Sequence, residues 1–277
     1  MKFLEGTKLY KMIVYLYPDP TSKTLSLSEI ADYLKKTLQL SVEIRGDFFH
    51  HFLSSPSEEI AKSLAAARIK NPNKFAPESL PLYGEIEYEK KALKESSRIS
   101  GAIFYDGNKL NEILRSLIPA SERDFEHLHL VFTKRLFGTY DETDRRWHAR
   151  VLVLGYPTII STTGIVEAPA KPKEFYQLKY ENPDIPLEVL KEKFQGRFLD
   201  YDDPPLTEVM KGYALQAIFY SVFGEPFCKN KTCRLYDAHW QEEVIHSQIT
   251  SGKLCPEHKK KFFGIVQERM NTKVSGG

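Results

Sequence analysis

All three cysteines of the chain fall in one stretch, at Cys228, Cys233 and Cys255, and His258 follows the last of them. They read as Cys-x4-Cys…Cys-x2-His. Two short pairs of soft ligands joined by a longer loop suit a tetrahedral zinc ion, because each pair grips one edge of the tetrahedron. Four protein ligands close such a site. No position is left for water, so the ion would hold structure and would not catalyse. Pro256, inside the second pair, helps shape the turn between ligands. The competing reading is three ordinary thiols and a surface histidine; it is disfavoured because no cysteine lies outside the pattern. The odd count and the spacing argue for a metal in a reducing compartment and against a disulfide framework.

Other residues have chemistry to offer. His127 and His129 lie two apart in a β-rich run and so share a face, a geometry that zinc sites use. No third ligand is visible beside them, and two polar residues on an exposed face is the competing reading. His239, Glu242, Glu243 and His246 are spaced to share one face if residues 237–246 form a helix. That face is a second metal site, an acid/base cluster, or simply solvated. His50 and His51 are adjacent, point apart, and read as a turn packed on the core. Asp141, Glu142, Asp144, Arg145 and Arg146 read as a charged hairpin loop, with an ion-pair cluster framing a cleft as the alternative. Thr162-Thr163-Gly164 reads as a turn; no GxxxxGK[ST] phosphate loop is present. Lys259, Lys260 and Lys261 put a basic run beside the cysteine-histidine pattern, which is one way to contact nucleic acid.

The segment Gly224-x3-Cys228-x4-Cys233-x-Leu235…Cys255-x2-His258 resembles the end of the archaemetzincin motif, in which HExxHxxG is followed by C-x4-C-x-M and C-x-x-C. The Gly-to-Cys and Cys-to-Cys spacings agree. His258 stands where the family has its last Cys, Leu235 stands at the Met, and the loop before Cys255 is longer. Counting back from Gly224, Ala217 and Ser221 stand where the helix should carry two zinc-binding histidines, and Ile218 stands at the general base. Phe227 stands at the third histidine. The rest of the chain resembles an archaeal family of metallopeptidases of unassigned function.

The resemblance implies a metzincin-like fold that keeps a structural Zn2+ and has a degenerate catalytic half. Zinc-dependent cleavage needs a metal-bound water of lowered pKa, a base and an open coordination position. Ala217, Ile218 and Phe227 have no lone pairs to offer, and Ser221 is a poor zinc ligand. The expectation is therefore a binding or scaffold protein without peptidase activity, acting on an unknown protein or peptide partner. One alternative is a metal-dependent hydrolase drawing ligands from His127, His129, His239 and Glu243. Another is a nucleic-acid-binding protein using Lys259–Lys261.

The bulk composition allows all of these. The chain has 277 residues, 42% hydrophobic and 27% charged, enough for a sizeable core. A net charge of +2, from 39 basic and 37 acidic residues, gives no general drive toward nucleic acid or membrane. The first eight residues lack the apolar core of a signal peptide. The longest apolar run, near residues 213–223, is too short to span a bilayer and predicts a buried helix. A cytoplasmic protein is the expectation.

The positioning elements follow from pattern. Residues 11–17 predict an inner strand, 26–38 an amphipathic helix and 41–45 a second strand, a βαβ unit. Helices are predicted over 57–69, 83–97 and 109–117, and strands over 99–105, 127–133, 148–154 and 158–162. Residues 71–81 and 169–186 read as loops, with a short strand at Glu174-Phe175-Tyr176. Residues 187–194 read as a helix. Asp202-Asp203-Pro204-Pro205 opens a helix that Gly224 ends. The tail after Met270 is expected to fray. The whole predicts a single α/β domain over 1–277, a mixed twisted sheet with flanking helices, and a zinc module over 224–262.

Overall fold

The computed structural model describes residues 12–75 and 80–263. The readings of the first eight residues and of the tail after Met270 lie outside the described residues. Strand β1 (Ile13–Tyr17) is almost wholly buried and lies inside a five-stranded sheet of order β2-β1-β4-β8-β7. Its neighbours are β2 (Ser41–Ile44) and β4 (His127–Thr133), both parallel to it. Strand β8 (Thr158–Ser161) continues the parallel array, and β7 (Leu152–Val153) closes it antiparallel. A second, three-stranded sheet has the order β3-β5-β6, from Phe104–Asp106, Leu136–Asp141 and Arg146–Arg150.

Alternation along β1 and β4 sends side chains to two separate cores. Val14, Leu16, Leu128, Leu130 and Phe132 face helices α1 (Leu27–Leu38) and α9 (Leu206–Phe223). Tyr15, Tyr17 and Val131 face α2 (Phe48–Phe52), α3 (Glu58–Ala66) and α5 (Gly107–Leu117), with α4 (Tyr83–Lys94) packed on α3. Helix α1 starts where Ser26 accepts the Glu29 N–H, and it buries Leu27, Ile30, Ala31, Leu34 and Leu38 along one stripe. Helix α9 has no polar stripe. Thirteen of its eighteen residues are buried, so it is a core helix on nearly every side. Gly224 ends it at φ 71°, a conformation that costs glycine nothing. No helix among the described residues is long and apolar enough to cross a membrane.

The structure corrects several expectations. Residues 148–154 are not one strand. Around Val151 the backbone leaves β5 and joins β8, so β6 and β7 belong to different sheets. Residues 99–105 are strand only from Phe104, because the preceding chain turns through Ser96–Arg98. Glu174-Phe175-Tyr176 lies in helix α7 (Lys173–Glu181), where Phe175 docks on Phe194 and Phe198 beside α8 (Leu187–Lys193). Phe48–Phe52 is a helical turn capped by Asp47. Residues 237–246 are not one helix either. Trp240 is extended and bridges Ala170, α10 covers only Gln241–Val244, and a π-helical segment runs over Ile245–Ser251. That segment presses Gln248 against Gly212 of α9, where an added Cβ would collide with the Gln248 side-chain oxygen. A short helix α6 (Gly164–Glu167) follows β8.

Candidate metal centre

The clip is built from the end of α9 outward. Four residues beyond Gly224, the Cys228 N–H donates to the Leu235 carbonyl (2.7 Å), folding the chain between them into a tight loop. Asn230 organises that loop. Its carbonyl accepts the Cys233 N–H, its side chain accepts the Thr232 N–H and hydroxyl, and its own N–H donates to the Cys228 sulfur at 3.3 Å. Cys233 runs beside Lys253, which brings the Cys255 N–H to 3.4 Å from the Cys233 sulfur. Residues 256–263 are helical, and one turn of that helix carries His258 back until its Nδ1 is 3.0 Å from the Cys255 sulfur.

All four ligand atoms lie within 4.8 Å of one another. Sulfurs bound tetrahedrally at about 2.3 Å would sit about 3.8 Å apart, so a contraction of no more than about 1 Å would close the cluster on a zinc-sized ion. The His258 ring also meets Phe219 of α9 edge-on, with centroids 5.6 Å apart. The clip is thereby seated on the core helix.

Burial sets the charge state of the bare clip. It pushes the Cys233 thiol up to about 12 and the Cys228 thiol upward, and it pushes His258 downward. The physical cause is the same in each: removal from water disfavours the charged form. Thiolates are tolerable here only beside a cation, and the two N–H contacts onto sulfur suit negatively charged acceptors. A bound divalent ion would therefore displace thiol protons.

The four positions that the resemblance aligns with the catalytic half behave differently. Ala217 and Ile218 are fully buried in the main core. The Ser221 hydroxyl donates back to the Ala217 carbonyl at 3.0 Å. Phe227 is exposed and lines a cleft of about 460 Å³ between α9 and edge strand β7. Tyr213 and Gln216 form the cleft's α9 wall, and Asp237 and His239 part of its rim. Gln216 escaped the sequence reading, although it is the one amide in the apolar run from Gly212 to Phe219. Its side-chain oxygen is buried without a hydrogen-bond partner among the described residues.

The remaining candidate ligands do not assemble. His127 and His129 share a face, as their spacing predicts, but His129 is wholly buried, not exposed. Its Nε2–H donates to the Glu122 carbonyl (3.2 Å), so Nδ1 accepts from the Tyr17 hydroxyl at 2.8 Å. Tyr17 accepts in turn from Arg45, which forks onto the Glu122 carboxylate at 2.7 and 2.8 Å. Burial drives the His129 pKa down to about 4. His127 Nδ1 is held by Asp124 at 2.8 Å. His239 lies before α10, so it does not share a helical face with Glu242, Glu243 and His246. Glu243 is occupied in accepting the His239 and Trp240 N–H groups and in pairing with Lys231. Among the described residues, no triad of ligand atoms within 4.8 Å includes His127, His129, His239 or Glu243.

His50 pairs with Asp47, while His51 packs on Tyr17 and Phe52, so the two histidines point apart. Asp141, Asp144 and His148 do converge on the β5–β6 hairpin, but Asp144 already accepts from His148 and Arg146. At Thr162-Thr163-Gly164 the Thr162 and Gly164 N–H groups are spent on Thr133 and Ser161, which leaves a turn and no anion cradle. Lys261 folds back onto Glu225 and over Phe223, so only Lys259 and Lys260 of the basic run are exposed.

Two solved structures align with most of this chain at low identity: an archaemetzincin from Methanopyrus kandleri and a zinc-dependent peptidase from Methanocorpusculum labreanum strain Z. The first is 12% identical, with 92% of this chain and 96% of that chain covered and a TM-score of 0.47. The second is 14% identical, with 90% and 99% covered and a TM-score of 0.44. No curated protein matches the sequence. The family model DUF6775, described as a probable metallopeptidase family, matches residues 11–264. That match runs from β1 through His258, and the chain belongs to this family.

Proposed function

We propose that the chain holds one zinc ion through Cys228, Cys233, Cys255 and His258 as a structural brace, and that it binds an extended peptide without cleaving it. The observation that carries this reading is a contrast along one helix. Four soft ligands converge at the carboxyl end of α9, while Ala217 and Ile218, inside it, are buried and offer no donor atom. When bound, the ion would supply cross-linking of the loop, the strand and the helix that carry its ligands. Four protein ligands leave it no water to activate.

The cleft supports the binding half of the proposal. Strand β7 is a sheet edge, and its outward backbone groups can accept an added strand. Across from it, the Gln216 side-chain oxygen lies buried in the cleft wall with no partner among the described residues, and a small outward rotation of the side chain would turn this acceptor toward a peptide N–H. The alternative hydrolase has less support, because among the described residues the histidines assigned to it are engaged or belong to no triad of ligand atoms.

Metal analysis and a fluorescent casein test this directly. The reading expects one tightly held zinc per chain and no hydrolysis. It also expects casein-derived peptides to raise fluorescence anisotropy, an effect lost in Gln216→Leu. Hydrolysis that stops when a second, exchangeable metal is removed would establish the hydrolase instead.

A further inference from the structure

Strands β2, β1, β4 and β8 run parallel, so their carboxyl ends lie along one edge. The chain leaves β1 through α1 on one face of the sheet and reaches β4 by way of α2, α3 and α5 on the other. The winding direction therefore reverses between β1 and β4, and the loops leaving those strands part from each other. In open parallel sheets a crevice of this kind, beyond the carboxyl ends of the strands, is where ligands bind.

A cavity of about 720 Å³ opens at this place, the size of a small-molecule site. Asp19 and Ser22 enter it after β1, Lys134 after β4 and Thr162 after β8, with Glu167 and Asp202 also lining it. The loop over 99–102 closes one side. It comes so near β8 that a Cβ on Gly101 would lie 2.6 Å from the Thr163 hydroxyl.

The charges in this crevice are incompletely matched. Asp19 is only 4% exposed. It accepts the Thr21 N–H and hydroxyl on one oxygen and the Thr162 hydroxyl on the other, yet no cation pairs with it among the described residues. Buried carboxylates ordinarily have a countercharge, and this one retains acceptor capacity. Lys134 is half-buried and likewise has no acidic partner among the described residues. The Ser22 hydroxyl is buried without a hydrogen-bond partner among the described residues. Asp200 and Arg98, also in the lining, are already paired with Lys191 and Glu95. What remains without a charged partner among the described residues is three carboxylates and one ammonium; Glu167 accepts the Tyr201 hydroxyl and Asp202 the Lys23 N–H, and both keep further acceptor capacity. No three of these carboxylates bring oxygens within 4.8 Å of one another, which disfavours a divalent ion and suits the longer reach of ammonium groups.

We propose that this crevice binds a small basic amino acid, its two ammonium groups drawn to Asp19, Glu167 and Asp202 and its carboxylate to Lys134. The site is separate from the cleft beside β7, and its occupancy does not depend on the zinc brace or on peptide binding.

Calorimetric titration of the full-length protein with L-lysine, cadaverine and L-glutamate tests it. L-lysine is expected to bind saturably, one per chain, and L-glutamate not at all. Asp19→Asn should weaken L-lysine by about tenfold or more, roughly 1.4 kcal/mol. Lys134→Met should weaken L-lysine by about fivefold and leave cadaverine, which has no carboxylate, unchanged. Gln216→Leu, in the other cleft, should change neither. If Asp19→Asn does not fold, since Asp19 anchors Thr162, then Asp202→Asn and Lys134→Met carry the test. No saturable heat with L-lysine, equal binding of L-glutamate, or L-lysine binding indifferent to both of those variants overturns the proposal.

Discussion

Two regions of this molecule place metal-type ligands at usable spacings, and they come to opposite ends. In the clip, Cys228, Cys233, Cys255 and His258 face one another, and the backbone adds only N–H groups aimed at sulfur. On β4, both ring nitrogens of His129 are already taken, by Tyr17 and by the Glu122 carbonyl, and His127 is held by Asp124. Residue type and spacing nominate a ligand; competition for its lone pairs decides the matter. Burial sharpens the difference. At Cys233 it disfavours the thiolate, so the clip wants a cation. At His129 it disfavours the imidazolium, and a neutral ring already satisfies every neighbour.

The largest effect should come from breaking the clip. Cys233→Ser removes a fully buried ligand, and zinc bound in a structural site can contribute on the order of 10–16 kcal/mol. Zinc content should fall well below one per chain, and stability should drop by upward of about 5 kcal/mol, several times the cost of an ordinary lost contact. Dialysis against a chelator should do the same to the unmutated chain. A melting temperature unmoved by complete removal of the metal would make these four residues ordinary thiols and an ordinary histidine, and the contrast with β4 would vanish.

The β4 network should answer a smaller insult without touching the metal. His129→Leu strands the Tyr17 hydroxyl and the Glu122 carbonyl in a buried place, a loss of about 2–4 kcal/mol. Zinc content should stay at one per chain. A fall in zinc content would mean that the two regions are coupled.

Acid should separate them again. His129 has a folded pKa of about 4, depressed from an ordinary value near 6.5. Above pH 6.5 its contribution is fully present, because neither state binds the proton. As pH falls from 6.5 toward 4, the unfolded chain takes up a proton that the fold refuses. Stability should therefore decline by up to about 3 kcal/mol over that window. Urea midpoints at pH 7 and 4.5, compared between the unmutated chain and His129→Leu, isolate this group from the carboxylates that titrate lower. Equal pH slopes in the two proteins would rule the buried imidazole out as the source.

How much of this was legible in the sequence depends on the range of the interaction. The β1-α1-β2 unit, β4, β8 and α9 announce themselves through local pattern: a β-rich run, a serine cap, a glycine stop. The clip is legible because its two short pairs are each local. Val151 is different. Its place between two sheets depends on which strand lies alongside, β5 before it and β8 after it, and nothing in the unbroken β-rich run from His148 to Leu154 marks the change of partner. Phe175 reads as a strand residue until Phe194 and Phe198 are beside it. By spacing His239 continues a helical face, but its neighbour Trp240 bridges Ala170 and straightens the chain. The crevice at Asp19 and Lys134 is the least legible, because a reversal of winding is a property of strand order and no single segment carries it.

The smallest effect concerns the clip's outer surface. Lys261 is spent on Glu225 and Phe223, so the basic run offers two free lysines on the helix that carries His258. Replacing Lys259 and Lys260 with alanine should change stability by less than about 0.5 kcal/mol and leave the zinc in place. Two phosphate contacts would give a salt slope of only about −2 in logarithmic units, the mark of weak, sequence-blind attraction. Anisotropy of a labelled duplex should accordingly show no binding at about 0.15 M salt, with or without these lysines. Binding in the micromolar range with a steep salt slope, abolished by the double variant, would turn the clip from an internal brace into an interface. The comparison with β4 would then have to be redrawn, since a ligand set that presents a surface is selected for what it displays as well as for what it holds.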